Sequence, residues 1–190
     1  MTTLKQNVLA AVLVIAVAQT QAVELAGQQV PDSVALAGQS LVLNGAGVRT
    51  RIVVDVYVAA LYTSARTGDA QAVLQATLPR RMELRMLRDV AADAMHESLV
   101  EGLADNVGQA GLGQYARQLD ALDKVFREVQ AVQKGDVIQL DFLPSQGTRI
   151  TVRGKRYPVI AGDDFAAAML SIWLGNDPVQ GTLKRRLLGG

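Results

Sequence analysis

Four side chains in one short stretch carry most of the chemistry this sequence offers. Residues 44–63 read NGAGVRTRIVVDVYVAALYT and place Arg49, Arg51, Asp55 and Tyr57 in a run otherwise dominated by Val, Ile and Ala. In a strand, alternate residues share a face, so these four odd-numbered positions point the same way if no bulge intervenes. A guanidinium turned toward an apolar interior must find an anion, because burying it unpaired is costly. Asp55 can supply that anion from within the chain. The other solution is a ligand, with Arg49 gripping a carboxylate or enolate oxygen bidentately and the Tyr57 hydroxyl as a third donor. The residues alone leave both solutions open, and Arg51 is free to lie at the strand edge in water.

Other chemistries are poorly supplied. His96 is the sole imidazole and there is no cysteine, so a zinc-type centre has nothing to be built from, and neither metal nor cofactor is expected. No serine lies in a G-x-S-x-G setting, and any Ser-His-Asp triad would have to recruit His96. Gly45-Ala46-Gly47 follows one short strand and opens another, unlike a dinucleotide or phosphate loop. Asp163-Asp164 reads as a helix N-cap with its neighbour rather than a catalytic carboxylate pair. Lys184, Arg185 and Arg186 suit the C-terminal end of a helix.

The N-terminus gives an address. Lys5 is a positive n-region, residues 8–18 an apolar h-region and residues 20–22 a small-x-small cleavage site. This predicts a signal peptide over residues 1–22, a domain over residues 23–190, and a periplasmic or secreted location. Removing the leader takes one lysine and no acid from 19 basic and 18 acidic residues. A neutral domain has no electrostatic reason to bind nucleic acid. No later segment is apolar for long enough to make a stable membrane span. The sequence carries no signal of oligomeric state.

Around the Arg49 stretch the patterning predicts these elements. Residues 29–36 and 39–43 are short strands joined by a turn, and residues 44–47 are a second tight turn leading into a long strand. Residues 68–76 form a helix capped by Asp69. Residues 81–90 alternate as a strand with one wet face bearing Glu83, Arg85 and Arg88. Residues 92–107 form a helix with Met95, Leu99, Leu103 and Val107 at four-residue spacing, and residues 113–129 form another. A three-stranded meander spans residues 137–160. A helix beginning at Asp163 turns Phe165, Met169, Ile172 and Trp173 inward, and a last helix starts after an Asp177-Pro178 cap. Strands, helices, a meander and helices again make an α+β domain, a largely antiparallel sheet with helices gathered on one face. A small ligand would sit in the crevice between the layers.

Residues 43–63 closely resemble the signature strand of the chalcone isomerase-like superfamily. The resemblance continues through LRDV (87–90), KGDVIQLDF (134–142), GT (147–148), GK (154–155), GDDF (162–165), IWLGNDPV (172–179) and LKRRLLG (183–189). It is strongest to the bacterial secreted branch. It implies an open-faced β-sandwich, a large mainly antiparallel sheet backed by helices on one face, with the ligand cleft between them. In the plant enzymes an arginine matching Arg49 steadies negative charge as a chalcone closes to a flavanone. The other polar contacts depart: Tyr57 stands at a threonine, Met95 at a tyrosine, Gly102 at an asparagine, and Ile172 at a polar position. The fatty-acid-binding members resemble this arrangement better, since an arginine and a tyrosine there hold the carboxylate. On that likeness Met95, Leu99, Leu103, Ile172 and Trp173 would line the acyl tunnel, although each also has the spacing of an ordinary core residue.

The expectation is therefore a non-catalytic periplasmic protein that binds a fatty acid or similar amphipathic carboxylate through Arg49 and Tyr57. One alternative is an isomerase or lyase acting on an enone, with Arg49 stabilising the enolate. A second is a structural or partner-binding protein whose cleft is closed and whose Arg49 pairs with Asp55.

Overall fold

The computed structural model describes residues 22–190. The expected leader lies outside the described residues, apart from Ala22. Two strands, β1 (Ala22–Leu25) and β2 (Gln28–Pro31), form a hairpin of their own. The main sheet takes β3 (Ser33–Leu36), β4 (Gln39–Arg51), β5 (Val54–Thr63) and β6 (Arg80–Met86), with helix α1 (Ala70–Leu74) between the last two. A short strand β7 (Val90–Ala91) leads into α2 (Ala92–Gln114) and α3 (Ala116–Val129), and β8 (Ala131–Val132) pairs back with β7. Then come β9 (Val137–Leu143), β10 (Gly147–Val152), β11 (Lys155–Arg156), α4 (Asp163–Leu174) and α5 (Gly181–Leu187). The sheet has seven strands in the order β11-β10-β9-β6-β5-β4-β3, every neighbouring pair antiparallel. The fold is the expected α+β arrangement, a large antiparallel sheet backed by helices.

Helices α2, α3 and α4 cover one face. Tyr57, Ala59 and Leu61 of β5 meet Met95, Leu99 and Leu103 of α2 and Phe165, Met169 and Trp173 of α4 in the main core. Val58, Ala60 and Tyr62, which alternate with them along β5, belong to a second cluster with Val30, Leu36 and Leu41 on the opposite face. That half of β5 is apolar on both sides because both sides are covered. Helix α2 extends past residue 107 but kinks at Gly108, whose φ is 72° and ψ 166°. It approaches α4 closely at Gly102, where a Cβ would lie 2.9 Å from Ile172 Cγ2.

Four local expectations need correcting. Residues 44–47 are not a turn, since β4 runs straight through them with a register shift between Leu43 and Gly45. The glycines serve instead as clearance for α5. A Cβ on Gly45 would sit 2.7 Å from the Leu187 carbonyl oxygen, and one on Gly47 2.8 Å from Leu183 Cδ1. The chain reverses at Ile52-Val53, so Arg49 and Arg51 lie on one strand and Asp55 and Tyr57 on the next. Of the wet face expected over residues 81–90, only Arg88, beyond the end of β6, is exposed. Glu83 is 2% exposed and its charge meets Arg85 at 2.7 Å, while Arg81 meets Asp141 of β9 at 2.6 Å. Neutralised along β6 in one pair and across to β9 in the other, these side chains pack together, and the two arginines are only partly exposed.

The cap residues also differ. Gly162 and Gln180 stand at the N-caps of α4 and α5. Asp163 lies in the first turn of α4 and accepts from the Ser145 amide at 2.9 Å, and Asp177 donates its amide to Asn106 at 3.2 Å. Asp69 caps α1 as expected, accepting from the Gln71 and Ala72 amides.

Candidate functional site

Arg49 and Tyr57 are direct cross-strand partners close to the turn of the β4–β5 hairpin. Cross-strand partners share a face, so the Arg49 side chain shares the face of Tyr57, the one covered by helices. Arg49 is half-buried. Its Nη1 donates to the Thr50 carbonyl at 2.6 Å and to Gln180 Oε1 at 3.4 Å. Gln180 Oε1 also accepts from the Thr50 amide at 3.0 Å, so the N-cap of α5 fixes the backbone beside the arginine.

Asp55 does not pair with Arg49. A second register shift between Arg49 and Thr50 sets Asp55 opposite Thr50, and it accepts from the Thr50 hydroxyl at 2.7 Å. Among the described residues no carboxylate lies within 4.0 Å of the Arg49 guanidinium. Of the two solutions open in the sequence, the internal salt bridge is the one the structure lacks.

Tyr57 is buried, and its oxygen accepts from the Trp173 indole at 3.1 Å. An indole N–H only donates, so the phenol keeps its own proton to give elsewhere. Burial pushes the Tyr57 pKa up, while Trp173 and the nearby Arg49 pull it partly back. The hydroxyl is therefore a neutral donor at physiological pH.

A cavity of about 520 Å³ opens beside these two groups. The hairpin supplies Arg49, Arg51, Val56, Tyr57 and the tip residues Ile52, Val53 and Val54. The segment before α2, Arg88, Asp89 and the strand β7, supplies residues 88–91, and α2 supplies Ala94, Met95 and Ser98. Its size falls within the roughly 300–1,000 Å³ typical of small-molecule pockets.

Of the residues singled out from sequence, Arg49, Arg51, Tyr57 and Met95 line this cavity. Leu99, Leu103, Ile172 and Trp173 do not; they are at most 5% exposed and packed in the core. Trp173 reaches the site only through its bond to Tyr57. Residues of the tip, Arg88 and Gln180 were not anticipated. Ile52 to Val54 looked like buried strand because the preceding glycines looked like the turn. Gln180 carries no local signal, since it meets Thr50 only through tertiary packing.

Helix α2 and the other described helices are not long and apolar enough to cross a membrane. No group of three or more metal-ligating side chains occurs among the described residues. His96 sits at the boundary of the core, its ring 5.9 Å from that of Phe126.

A search of curated proteins finds no match to the sequence. Among solved structures, the chain is similar to a fatty-acid binding protein of Arabidopsis thaliana, with a TM-score of 0.67 over 85% of this chain and 92% of that one. At 14% identity, that likeness speaks for the fold alone. The family model for chalcone isomerase-like proteins matches residues 22–189, which takes in the whole sheet, the helical layer and the cavity. On that match the chain belongs to the chalcone isomerase-like family.

Proposed function

We propose that this protein binds a fatty acid or a similar amphipathic carboxylate without transforming it. The carboxylate would lie between the Arg49 guanidinium and the Tyr57 hydroxyl, and the hydrocarbon would run along the aliphatic lining of the cavity. The observation that carries this reading is a half-buried guanidinium with no carboxylate partner among the described residues, facing a hollow of about 520 Å³. A guanidinium so placed favours an anion it can engage through two parallel hydrogen bonds. Tyr57 adds a donor that carries no charge of its own, which strengthens the grip without repelling the ligand. The similarity in fold to a fatty-acid binding protein of Arabidopsis thaliana supports the same ligand class. The leader-like pattern of residues 1–22 supports action in the periplasm or outside the cell.

Native mass spectrometry of protein purified from cells tests the proposal. A co-purifying acyl carboxylate is expected, and Arg49→Ala should lose it. Truncating one side of such a charge-assisted contact costs about 2 kcal/mol or more, roughly thirtyfold in affinity. Recovery of the same acid at the same occupancy in Arg49→Ala would refute the anchor. Delipidated protein that consumed a chalcone stereoselectively would favour the isomerase alternative instead.

A further inference from the structure

The tip of the β4–β5 hairpin is built unlike the rest of the surface. Six large hydrophobic residues are exposed among the described residues, and three of them are consecutive here: Ile52 at 94%, Val53 at 84% and Val54 at 42%. Ile52 has a φ of 59°, a left-handed conformation that a β-branched residue adopts only under strain. Glycine would fit the turn without strain, so a bare isoleucine at its apex is costly for folding twice over.

The same three residues form part of the cavity wall, and Arg51 and Arg88 line it beside them. Both arginines are exposed. Two carboxylates nearby are Asp55, which accepts from the Thr50 hydroxyl, and Asp89, which accepts from the Lys134 amide at 2.8 Å. Among the residues that line the cavity, three guanidiniums, Arg49, Arg51 and Arg88, stand with one carboxylate, Asp89.

We propose that the hairpin tip docks on an anionic phospholipid bilayer, with Ile52, Val53 and Val54 entering the interface and Arg51 and Arg88 meeting lipid phosphates. Apolar side chains ringed by cations match what an amphipathic element needs to lie at such an interface. Three aliphatic side chains cover far less than the roughly 1,200–2,000 Å² that a stable protein–protein interface buries. A two-fold self-contact would also set the arginines of one copy against those of the other. Continuity between tip and cavity gives the docking a purpose, because a ligand sparingly soluble in water would pass between bilayer and cavity without crossing the solvent. That purpose rests on the fatty-acid reading; the docking itself does not.

Vesicle flotation tests it, using protein as its expression host processes it, stripped of bound lipid. The wild type should float with vesicles of phosphatidylglycerol and phosphatidylcholine, less so with phosphatidylcholine alone, and less so in high salt. Ile52→Asp with Val53→Asp should lower partitioning about tenfold or more. Ile52→Gly should also weaken flotation while raising the melting temperature, which rules out misfolding as the cause. Wild-type protein that ignores the anionic vesicles overturns the docking, as do tip variants that float equally well or a tip-dependent dimer in light scattering. Because the cavity is empty in this assay, such a failure would leave the carboxylate reading standing. Absence of a co-purifying acid would in turn leave the docking result intact.

Discussion

Arg81 and Arg49 occupy comparable places in one sheet and are treated in opposite ways. Each has a direct cross-strand partner, Asp141 for Arg81 and Tyr57 for Arg49. Asp141 takes Arg81 bidentately, Oδ1 to Nε at 2.6 Å and Oδ2 to Nη2 at 3.1 Å, and then takes Arg149 at 3.1 Å as well. Two guanidiniums share one carboxylate that is itself 1% exposed. Arg49 faces a phenol that burial keeps protonated, next to a cavity of about 520 Å³. The first arginine holds strands together. The second is held in place by Gln180 and a backbone carbonyl but is not neutralised by any described carboxylate. A charge satisfied from within is structural, and a charge left facing a hollow is poised for something that arrives.

Removing the carboxylate from the paired site should have the largest effect. Asp141→Ala strands Arg81 and Arg149 without their counter-ion, and breaking a buried pair from one side costs about 3 kcal/mol or more. Urea unfolding should report that loss with acyl binding to the remaining folded protein unchanged. Arg49→Ala should shift the same unfolding curve by no more than about 1 kcal/mol, because it gives up only hydrogen bonds to Thr50 and Gln180. Equal destabilisation by the two variants would erase the distinction between structural and poised arginines.

Tyr57→Phe probes the poised site more finely. It leaves the Trp173 indole N–H without its acceptor in a buried setting, a cost of about 1–2 kcal/mol. It should also weaken carboxylate binding several-fold, less than loss of Arg49. The variant has a pH signature too. The Tyr57 phenol ionises above its ordinary 10.0 in the folded protein, so its stabilising contribution is complete below pH 10 and is lost as pH rises through the folded value. Stability should therefore fall less steeply above pH 10 in Tyr57→Phe than in the wild type. Parallel curves would mean that the phenol is not shielded as the structure has it.

Local pattern carried the architecture far. The alternation of Ile138, Leu140 and Phe142 defined β9, and the four-residue spacing of Met95, Leu99 and Leu103 defined the buried face of α2. Arg49 was legible because a lone cation in an apolar strand is conspicuous. What failed was whatever depended on distant chain. Gly45 and Gly47 read as a turn because glycine usually marks one, but here they make room for α5, which begins only at Gly181. That misplaced turn concealed the exposed tip and therefore the mouth of the cavity. The same blindness applies to Glu83, which reads as solvated until the strand bearing Gln139 is brought alongside. The spacing of Leu99, Leu103, Ile172 and Trp173 does not separate tunnel lining from core, because apolar spacing is the same for both.

Recognition of negative charge by Arg49 is the central claim. Its most direct test is a titration of a saturated fatty acid and the alcohol of equal chain length into wild type and Arg49→Ala, with the single tryptophan, Trp173, as fluorescence reporter. The wild type should prefer the acid by about thirtyfold, and Arg49→Ala should bind the two alike. A wild type indifferent to the headgroup, or an undiminished preference in Arg49→Ala, would contradict it.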